Sequence, residues 1–381
     1  MIPVVIIGGG ASGLMLASFL PSKSAIVIES NPKVAAKLLV SGGGRCNVTN
    51  EVVSSTNYLG DKDFISNVIS QFDQNALLSW CEARGLSLIS QKNHQYFCPN
   101  SAKEIVSILS KECSKQTVLL NEKVLDINHS HDGFVVQTNK QKIKTMSVVI
   151  ASGGLSYPIL GVSDIGYKLA QNVGHGISKL SPALVGFTLQ KEQFFMKELS
   201  GSSVGNVEIK VGTKSCRGDL LFAHKGISGP SVLNASLYWE KGSISIDFLP
   251  DFRWKSLSGS KKNISTLLPL PKRVIKSLLE NLNIPDKTFD GLTKDERDRL
   301  FGLQNYSFAP AGTFGYGKAE VTKGGIVTRE IDPLTMMSKF EDNLYFIGEV
   351  LDVTGELGGY NLQWAFSSAF VCAKALRSKI K

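Results

Sequence analysis

Apolar residues and glycines alternate in blocks over the first thirty residues of the chain. Val4 to Ile7 is an unbroken apolar run that predicts a buried strand, and Ala25 to Ile28 predicts a second. Between them, Gly8 to Gly13 leads into an apolar stretch from Leu14 to Leu20, which predicts a short helix that Pro21 ends. This order of strand, turn, helix and strand is typical of the start of an α/β domain.

Helical and strand patterns then alternate as far as Ile150. Asp73 predicts the N-cap of a helix that runs to Arg84 and stops at Gly85. Ser101 and Glu104 form the pattern of a capping box, which predicts a helix to about residue 115. Strands are predicted at 117–120, 133–138 and 143–150, with the last two paired as a hairpin.

The pattern changes after about Leu180. Residues 183–250 alternate as in an antiparallel sheet or small barrel, 260–303 have helical spacing, and 306–330 return to strand-like spacing. The helical piece is therefore predicted to be an excursion within a β-rich insertion. From Leu344 the chain predicts a strand, a turn and a helix from Gln363 to about Lys379, which rejoin the first sheet. The predicted buried positions of the helical piece are Leu267, Leu268, Val274, Ile275, Leu278 and Leu279.

Composition narrows the class of protein. The chain has 381 residues, 43% hydrophobic and 20% charged, which allows two or three globular domains and argues against a disordered, collagen-like or disulfide-stapled chain. No apolar run approaches the ~18 residues of a membrane span. The first residues resemble a strand rather than a signal peptide, and the six scattered cysteines include no Cys-x-x-Cys pair. We therefore expect a cytoplasmic protein with free thiols, without a metal site.

The net charge of +9 is unevenly distributed. Residues 1–50 hold 4 Lys/Arg against 1 Asp/Glu, and residues 251–300 hold 11 against 7. Such an excess is compatible with binding nucleic acid or an anionic cofactor. A solvated surface without a partner explains it equally simply.

The glycine-rich turn carries the clearest chemical signal. Gly8-x-Gly10-x-x-Gly13 between two apolar strands is the dinucleotide-binding pattern, in which a pyrophosphate lies at a helix N-terminus. Glu29 ends the second strand, where a carboxylate accepts the ribose hydroxyls of an adenosine and repels a 2′-phosphate. FAD or NAD is therefore expected rather than NADP; a glycine-rich turn without ligand is the alternative. The predicted contacts are Gly8, Gly10, Ala11, Ser12, Gly13, Glu29 and Ser30.

A second glycine-rich segment follows at residues 37–50. Three glycines before Arg45 and Asn47 make a loop that can lie against a flat heteroaromatic ring, and Arg45 can stabilise negative charge on a reduced flavin. A tight surface loop is the alternative. Cys46 is expected to be a small packed residue, since no histidine or partner cysteine accompanies it. The predicted contacts are Lys37, Ser41, Gly43, Gly44, Arg45, Cys46 and Asn47.

Three later segments complete the predicted cofactor site. Val124 stands where flavoproteins of this class contact adenine through the backbone, and the strand 148–150 ends in Ala151, Ser152 and Gly153. A further apolar strand ends in Gly348-Glu349, where an acid commonly holds the ribityl chain. A helix then begins at Gly359, Tyr360, Asn361 and Leu362, and its free N–H groups can stabilise the flavin C2 carbonyl region.

The five histidines carry little signal on their own. His224, in a glycine-rich segment of the insertion, is the best acid–base candidate, with a structural or solvated role as the alternative. His129 and His131 flank a turn and are expected to be exposed, and His94 and His175 have no partner visible in the sequence. No Ser/His/Asp set or metal-ligand spacing is present.

Six blocks in order along the chain resemble the BaiN-like flavoproteins, also called aminoacetone oxidase family FAD-binding enzymes. The resemblance implies an α/β fold: a Rossmann-type, glutathione-reductase-like FAD-binding domain interrupted by a β-barrel-like insertion that carries a small helical subdomain. It also implies a flavin seated between Arg45–Asn47 and Tyr360–Leu362. The blocks are residues 8–14, 37–50, 153–158, 222–230, 319–325 and 348–368. The chain departs from the family pattern at Pro21 to Lys23 and at Ser163-Asp164.

The expected domains follow from combining the resemblance with the spacing. They are a first FAD-binding part at 1–182, a first insertion part at 183–250, a helical subdomain at 251–305, a second insertion part at 306–332 and a second FAD-binding part at 333–381.

The expected function is that of an FAD-dependent oxidoreductase exchanging hydride between flavin N5 and a small organic substrate. The redox partner is expected to be either NAD(P)H, bound as a transient co-substrate, or O2. The reaction is expected to take place in a cleft between the FAD domain and the insertion. The family has been linked to reduction of unsaturated steroid ketones and to oxidation of small amines. The enzyme is therefore expected to be either an NAD(P)H-dependent reductase or an oxidase of the amine-oxidase type. The sequence does not indicate the oligomeric state.

Two alternatives come from other classes. The basic residues 251–300 suggest an RNA-associated, tRNA-modifying flavoprotein, although no RNA-binding motif is present and the segment's aromatics are Phe252, Trp254 and Phe289. Salt-dependent tRNA binding that is lost on neutralising Lys261, Lys262, Lys272 and Arg273 would support it. The other alternative is a structural FAD in a protein whose insertion binds a partner.

Overall fold

The computed structural model describes residues 1–91 and 94–380 and divides the chain into two compact units. Unit 1 comprises Met1–Pro182 and Glu320–Lys381, and unit 2 comprises Ala183–Ala319. Unit 2 is thus one continuous stretch that interrupts unit 1. No helix within the described ranges is long and apolar enough to cross a membrane.

The elements of unit 1 before the interruption alternate between strands and helices. They are β1 (Ile2–Ile7), α1 (Ala11–Phe19), β2 (Ala25–Ile28), α2 (Ala36–Val40), β3 (Asn47–Asn50), β4 (Tyr58–Leu59), α3 (Lys62–Ile69), α4 (Gln74–Glu82), β5 (Ile89–Gln91), β6 (Gln95–Phe97), α5 (Lys103–Cys113), β7 (Thr117–Leu119), β8 (Val124–Ser130), β9 (Gly133–Thr138), β10 (Lys142–Ile150) and α6 (Ile165–Asn172). A short strand, β11 (Ser181–Ala183), ends where unit 2 begins.

Unit 2 is β-rich with a helical excursion, as the spacing predicts. Its elements are β12 (Phe187–Thr188), α7 (Phe195–Glu198), β13 (Ser203–Val211), β14 (Lys214–Ala223), β15 (Gly226–Ser228), α8 (Pro230–Tyr238), β16 (Ile244–Asp247), α9 (Ile264–Leu267), α10 (Lys272–Asn281), α11 (Lys294–Phe301), β17 (Tyr306–Phe308) and β18 (Gly312–Thr313). Unit 1 then resumes with β19 (Val321–Lys323), β20 (Leu344–Phe346), β21 (Thr354–Gly355) and α12 (Tyr360–Lys379).

The main sheet of unit 1 has seven strands, in the order β7-β2-β1-β10-β9-β8, with β20 also paired to β10. Strands β7, β2, β1, β10 and β20 are parallel. Strand β9 pairs antiparallel with β10, as the predicted hairpin requires, and β8, which was not predicted, extends the antiparallel part. Val148, Val149 and Ile150 of β10 are fully buried. A parallel strand covered on both faces is apolar throughout rather than alternating, which explains the apolar runs of β1 and of the last three residues of β10; the earlier part of β10, which pairs with β9, alternates.

Helix α12 lies in the core of unit 1 and packs against α1. Trp364 and Phe366 are buried within the same core cluster as the strands of the main sheet. Phe370 of α12 stacks on Phe72 with ring centroids 4.7 Å apart, and Phe19 of α1 meets Phe370 edge to face at 5.2 Å. These contacts hold the C-terminal end of α1 against the middle of α12.

The sheet of unit 2 is antiparallel throughout its seven strands, in the order β17-β16-β13-β14-β15-β12-β18. Within the described residues this hydrogen-bonded path has β17 and β18 as its two edges, so the ladder is an open sheet rather than a closed barrel. In the helical excursion, Val274, Ile275, Leu278 and Leu279 are buried as predicted.

Residues 320–332, which the spacing placed in the insertion, belong to unit 1. The Ile326 N–H donates to the Val350 carbonyl at 2.9 Å, and the Asp352 N–H donates to the Ile326 carbonyl at 2.9 Å. The Ser178 N–H donates to the Gly325 carbonyl at 2.9 Å. Strand-like spacing does not show which sheet a strand pairs with. The pattern therefore placed the end of the insertion at residue 332, whereas unit 2 ends at Ala319.

Candidate functional site

The turn between β1 and α1 shows three different uses of glycine. A Cβ at Gly8, where φ is +113°, would lie 2.4 Å from the Ala151 carbonyl oxygen, and a Cβ at Gly13 would lie 2.0 Å from the Gly8 carbonyl oxygen. A Cβ at Gly10 would meet nothing within 4 Å. Gly8 and Gly13 therefore permit close packing of strand and helix, whereas Gly10 faces open space.

The start of α1 is built to receive an anion. Gly10 is the N-cap, and neither a capping side chain nor an acidic residue lies in the first turn. The first N–H groups of a helix have no intrahelical acceptor and carry partial positive charge. An open space over Gly10 and the N–H groups of Ala11 and Ser12 fit a pyrophosphate without rearrangement.

Glu29, at the end of β2, is tied to the same turn. Its Oε2 accepts a hydrogen bond from the Gly9 N–H at 2.9 Å, and its Oε1 accepts from the Asn31 N–H at 2.8 Å and Nδ2 at 2.9 Å. The Ser30 hydroxyl donates a longer bond of 3.3 Å. These donors fix the carboxylate beside the glycines. Asn31 is a site residue that sequence reasoning missed.

The second glycine loop lies after α2 and leaves its backbone open. Gly42, Gly43 and Gly44 all have positive φ, and a Cβ at Gly43 or Gly44 would meet nothing within 4 Å. The Ser41 hydroxyl donates to the Leu38 carbonyl at 2.8 Å. The loop thus exposes peptide groups that a planar ring can contact.

The residues after the glycines are more strongly anchored than the sequence suggested. Cys46 is fully buried, with a φ of 53°. The Arg45 Nη2 donates to the Pro99 carbonyl at 3.0 Å, so the guanidinium has a protein partner. The Asn47 side-chain amide lies 2.7 Å from that of Gln95.

An ion pair joins α2, which precedes the second glycine loop, to the loop after β20. The Lys37 Nζ lies 2.8 Å and 3.0 Å from the two carboxylate oxygens of Glu349. The Thr322 N–H also donates to Glu349, at 2.9 Å. A Cβ at Gly154 would lie 2.6 Å from the Thr322 hydroxyl and 3.0 Å from Glu349. Lys37, Glu349 and the loop after β10 are therefore brought together.

Two further titratable residues, Glu320 and Tyr157, were not assigned to the site from the sequence. Burial raises the pKa of the Glu320 carboxyl, and the positive charge of Lys37 opposes the shift. Burial, with the nearby Glu320 charge, also raises the pKa of Tyr157, whose φ is 60°. Both shifts favour the protonated group. Tyr157 and Glu320 lie in two of the sequence blocks that carry the family resemblance, and this was the signal that could have identified them.

The start of α12 presents a second uncapped helix N-terminus. Gly359, with a φ of 92°, is the N-cap, without a side-chain cap or an acidic residue in the first turn. The Asn361 amide exchanges two hydrogen bonds with the Gly355 backbone, at 2.8 Å and 2.9 Å. The Tyr58 hydroxyl donates to the Tyr360 carbonyl at 2.9 Å. These contacts hold the turn while the N–H groups of Tyr360 to Leu362 stay available.

The remaining predicted contacts lie at or next to the ends of strands in the main sheet. Gly348 is anchored by the Ser368 hydroxyl, which accepts from its N–H at 3.0 Å, and by the Trp364 indole, which donates to its carbonyl at 3.1 Å. Ala151 follows β10, and its N–H donates to the Ile7 carbonyl at 2.9 Å. Val124 is buried at the start of β8. Ser152 and Gly153 follow Ala151, and the Ser152 hydroxyl is buried with no hydrogen-bond partner among the described residues.

His224 belongs to unit 2. It is exposed in the turn between β14 and β15. No group of His, Cys, Asp and Glu side chains in the described ranges has the arrangement of a metal site.

Two other histidines have partners that the sequence did not reveal. His175 is buried, with its Nδ1 3.2 Å from Glu330 and its Nε2 2.7 Å from the Ser338 hydroxyl. Burial lowers the pKa of His175, against the opposing effect of Glu330. His94 bonds to Glu51. Neither partner was visible in the sequence, because each lies far along the chain from its histidine.

Solved structures share the fold at low sequence identity. Quinol fumarate reductase FrdA from Escherichia coli has a TM-score of 0.52 at 14% identity, covering 99% of this chain and 70% of that one. A 3-ketosteroid-delta4-(5alpha)-dehydrogenase from Rhodococcus jostii has a TM-score of 0.50 at 11% identity, covering 98% and 96%. These likenesses agree with the predicted fold class, a Rossmann-type domain with an insertion.

Curated relatives match the chain from end to end. A ribosomal RNA dihydrouridine synthase from Escherichia coli is 37% identical, covering 98% of this chain and 97% of the relative. The protein of the same name from Haemophilus influenzae is 36% identical, covering 98% of each chain. A 3-dehydro-bile acid delta(4,6)-reductase from Clostridium scindens is 30% identical, covering 97% and 98%.

The family profile described as the HI0933-like protein Rossmann domain matches residues 2–375. The match confirms the resemblance drawn from the six sequence blocks. The site residues fit FAD, since Gly10 is open where a pyrophosphate would lie and the starts of α1 and α12 are uncapped. The chain belongs to the HI0933-like family of FAD-binding flavoprotein oxidoreductases.

Proposed function

We propose that this chain is an FAD-dependent reductase of uridine in ribosomal RNA. The observation that carries the proposal is the identity of 37% and 36%, over almost the full length of both chains, with two proteins named ribosomal RNA dihydrouridine synthase. This selects the RNA-associated alternative among the functions expected from the sequence. The RNA that we propose is ribosomal RNA, whereas the RNA expected from the sequence was transfer RNA.

The names of the relatives point to one chemistry. Conversion of uridine to dihydrouridine saturates the C5=C6 double bond, which is conjugated to the C4 carbonyl. A delta(4,6)-reductase of a 3-dehydro-bile acid likewise saturates a double bond conjugated to a carbonyl. Each reduction delivers a hydride to the electron-poor carbon of the double bond and a proton to its neighbour. Reduction of an enone-type double bond is therefore the reaction class that we propose.

The protein residues bind and orient the cofactor in this proposal. Gly10 and the N-terminus of α1 hold the pyrophosphate, and Glu29 receives the adenosine ribose. Glu349, which is paired with Lys37, is assigned to the ribityl chain. The N–H groups at the start of α12 stabilise negative charge at the C2 carbonyl side of the ring. FAD, when bound, supplies the hydride-transfer chemistry, with NADH or NADPH as the source of the electrons.

A proton must also reach the substrate carbon next to the one that accepts hydride. Burial raises the pKa of both Tyr157 and Glu320, which favours the protonated form of each, and the charge of Lys37 acts on Glu320 in the opposite direction. We assign them as candidate proton donors. His224 is the rival candidate from the sequence. Substituting Phe for Tyr157, Gln for Glu320 and Asn for His224 separates the three in single-turnover reduction of substrate by pre-reduced enzyme.

The direct experiment uses the holoenzyme and deproteinised ribosomal RNA from a strain that lacks this protein. With NADH or NADPH present, we expect dihydrouridine to form and to be detected by nucleoside mass spectrometry after digestion. Bleaching of the flavin under anaerobic conditions identifies the donor. If neither nicotinamide bleaches the flavin, nicotinamide dependence is wrong. If the flavin is reduced but ribosomal RNA does not reoxidise it, ribosomal RNA is not the substrate.

A small-molecule enone is the second candidate substrate, because the bile acid reductase is 30% identical over 97% of this chain. Anaerobic mixing of the reduced holoenzyme with a 3-keto-4-ene steroid separates the two candidates. Reoxidation by the steroid without reoxidation by ribosomal RNA favours the small-molecule reading. The opposite result favours RNA.

A further inference from the structure

Unit 2 contains most of the excess positive charge. Its 137 residues hold 19 Lys/Arg against 13 Asp/Glu, a net charge of +6, whereas unit 1 contributes +3 of the total of +9. The excess is concentrated in the helical excursion, where no acidic residue occurs from Phe252 to Leu279. We call residues 253–276 the basic segment; its cations are Arg253, Lys255, Lys261, Lys262, Lys272, Arg273 and Lys276.

Packing within unit 2 forces these side chains outward. In α10, Val274, Ile275, Leu278 and Leu279 are buried in the core of the unit. Helical periodicity therefore places the basic residues of α10 on the solvent side. The exposed cations of the basic segment are Arg253, Lys255, Lys261, Lys262, Lys272, Arg273 and Lys276.

Few of these cations are neutralised by a carboxylate. Among the described residues, Lys276 has an ion pair with Glu280 at 3.9 Å, and both side chains are largely exposed. Arg273 donates to the backbone carbonyl of Glu198 rather than to a carboxylate. The side chains of Lys255, Lys261, Lys262 and Lys272 form no ion pair or hydrogen bond with any described residue.

The nearest acidic residues of the excursion have other partners. The Asp286 carboxylate accepts hydrogen bonds from the Ser265 N–H at 3.1 Å and hydroxyl at 2.6 Å. The Asp290 carboxylate accepts from the Gly259 N–H at 2.6 Å. These bonds hold Asp286 and Asp290 against the backbone of the basic segment, and with both carboxylates counted residues 251–300 still carry a net charge of +4.

The start of α10 adds to this local field. Lys272 and Arg273 occupy its first turn, which has no acidic residue and no side-chain cap. A cation at a helix N-terminus is repelled by the helix dipole, so the arrangement gains from an external anion. Helix α11 of the same unit shows the usual arrangement, with the predicted capping box of Thr293 and Glu296 confirmed.

Aromatic side chains stand next to the basic segment. Trp254 meets Phe252 edge to face at 5.2 Å, and Phe301 lies 5.2 Å from Trp254 on its other side. Phe301 is 38% exposed. Partly exposed rings beside lysines are the combination that proteins use to stack bases while holding a phosphate backbone.

We propose that the basic segment of unit 2 binds the phosphate backbone of the RNA substrate. The inference rests on the proposed function, since it names the part of the chain that holds the RNA. It assigns Lys255, Lys261, Lys262 and Lys272 as phosphate contacts. Such contacts give affinity without sequence preference, so recognition of the target uridine depends on other residues.

The test compares two variants of the holoenzyme with equal net charge. In the first, Lys255, Lys261, Lys262 and Lys272 are each changed to Gln. In the control, four exposed lysines of unit 1 are changed to Gln: Lys103, Lys123, Lys142 and Lys144. Binding to fluorescently labelled, deproteinised ribosomal RNA is measured between 50 mM and 300 mM KCl, together with flavin content and the rate of flavin reduction.

We expect the first variant to bind roughly 10- to 100-fold more weakly than wild type at moderate salt. The slope of log K against log [salt] should become shallower by about 3, because each lost phosphate contact removes about 0.7 to 0.9 of slope. The control variant should stay near wild type, and both variants should keep their flavin. Equal weakening of the two variants, or no weakening of the first, would overturn the proposal. Preferred binding of anionic phosphatidylglycerol vesicles over RNA would also overturn it.

Dihydrouridine formation distinguishes failure of this inference from failure of the proposed function. If wild type and the first variant bind RNA alike and form dihydrouridine alike, the basic segment is not the RNA contact and the proposed function stands. If wild type forms no dihydrouridine with reduced flavin, the proposed function itself fails.

Discussion

The close contact between α1 and β1 can be tested at a single glycine. In Gly13→Ala, the added Cβ would lie 2.0 Å from the Gly8 carbonyl oxygen, whereas ordinary contact begins at 3.4 Å. The obstructing atom belongs to the backbone and cannot rotate away. The helix must therefore retreat from the strand by an amount comparable with the missing 1.4 Å.

Two opposing effects set the size of the loss. Forcing an extra carbon into a filled site costs about 1–3 kcal/mol, at the upper end when backbone must move. Alanine in a helix gains roughly 1 kcal/mol over glycine. We therefore expect the free energy of unfolding of the FAD-free protein to fall by about 1–2 kcal/mol. FAD affinity should fall further, since the displaced helix no longer presents its N–H groups at the pyrophosphate position.

Gly10→Ala is the matched control within the same turn. Gly10 has an extended backbone, with φ at −83° and ψ at −165°, and its Cβ would meet nothing within 4 Å. The free energy of unfolding of the FAD-free protein should change by less than about 1 kcal/mol. The methyl group would nevertheless occupy the space assigned to the pyrophosphate, so FAD affinity should fall at least about tenfold, or 1.4 kcal/mol.

Urea unfolding of the FAD-stripped proteins and FAD titration by flavin fluorescence give the two quantities separately. Unchanged stability of Gly13→Ala would refute the close helix–strand contact. Wild-type FAD affinity of Gly10→Ala would refute the assignment of Gly10 to the pyrophosphate. The two substitutions thus separate packing from ligand contact.

Three further changes test other parts of unit 1. Glu29→Gln keeps the size but turns an amide toward backbone donors, so FAD affinity measured by titration should fall about tenfold or more. Lys37→Met leaves the Glu349 carboxylate without its cation and should cost about 1–3 kcal/mol in urea unfolding, most of which Lys37→Met combined with Glu349→Gln should recover. Because the pKa of His175 is lowered in the folded protein, the unfolded chain binds a proton at this residue more readily than the folded chain does. The free energy of unfolding should therefore be highest above about pH 6.5 and should decrease as the pH falls below that value. Thermal midpoints from pH 7.5 to 5.0 should drop less in His175→Gln than in wild type.

The elements that depend on local pattern could be predicted from sequence. The apolar runs of β1 and β10, the Asp73 cap of α4 and the Thr293 box of α11 all occur where the pattern indicates. The glycine turn at Gly359 predicted the start of α12, which begins at Tyr360, whereas the bound of Gln363 was three residues late.

The polar contacts of the site could not be predicted, because they join distant parts of the chain. His175 meets Glu330 and Ser338, 155 and 163 residues away, and Lys37 meets Glu349, 312 residues away. A sequence shows that such residues are present, but only the folded chain shows which of them meet.

The placement of β20 has a consequence for synthesis on the ribosome. Strand β10 ends at Ile150, and the parallel strand that covers its other edge begins at Leu344, 194 residues later. At about 5–20 residues per second, the nascent main sheet waits roughly 10 to 40 s with an apolar edge unpaired. Unit 2, being continuous, has all of its residues before that edge is closed. The newly made chain therefore passes through a stage in which the insertion is complete and the cofactor domain still depends on its last strand.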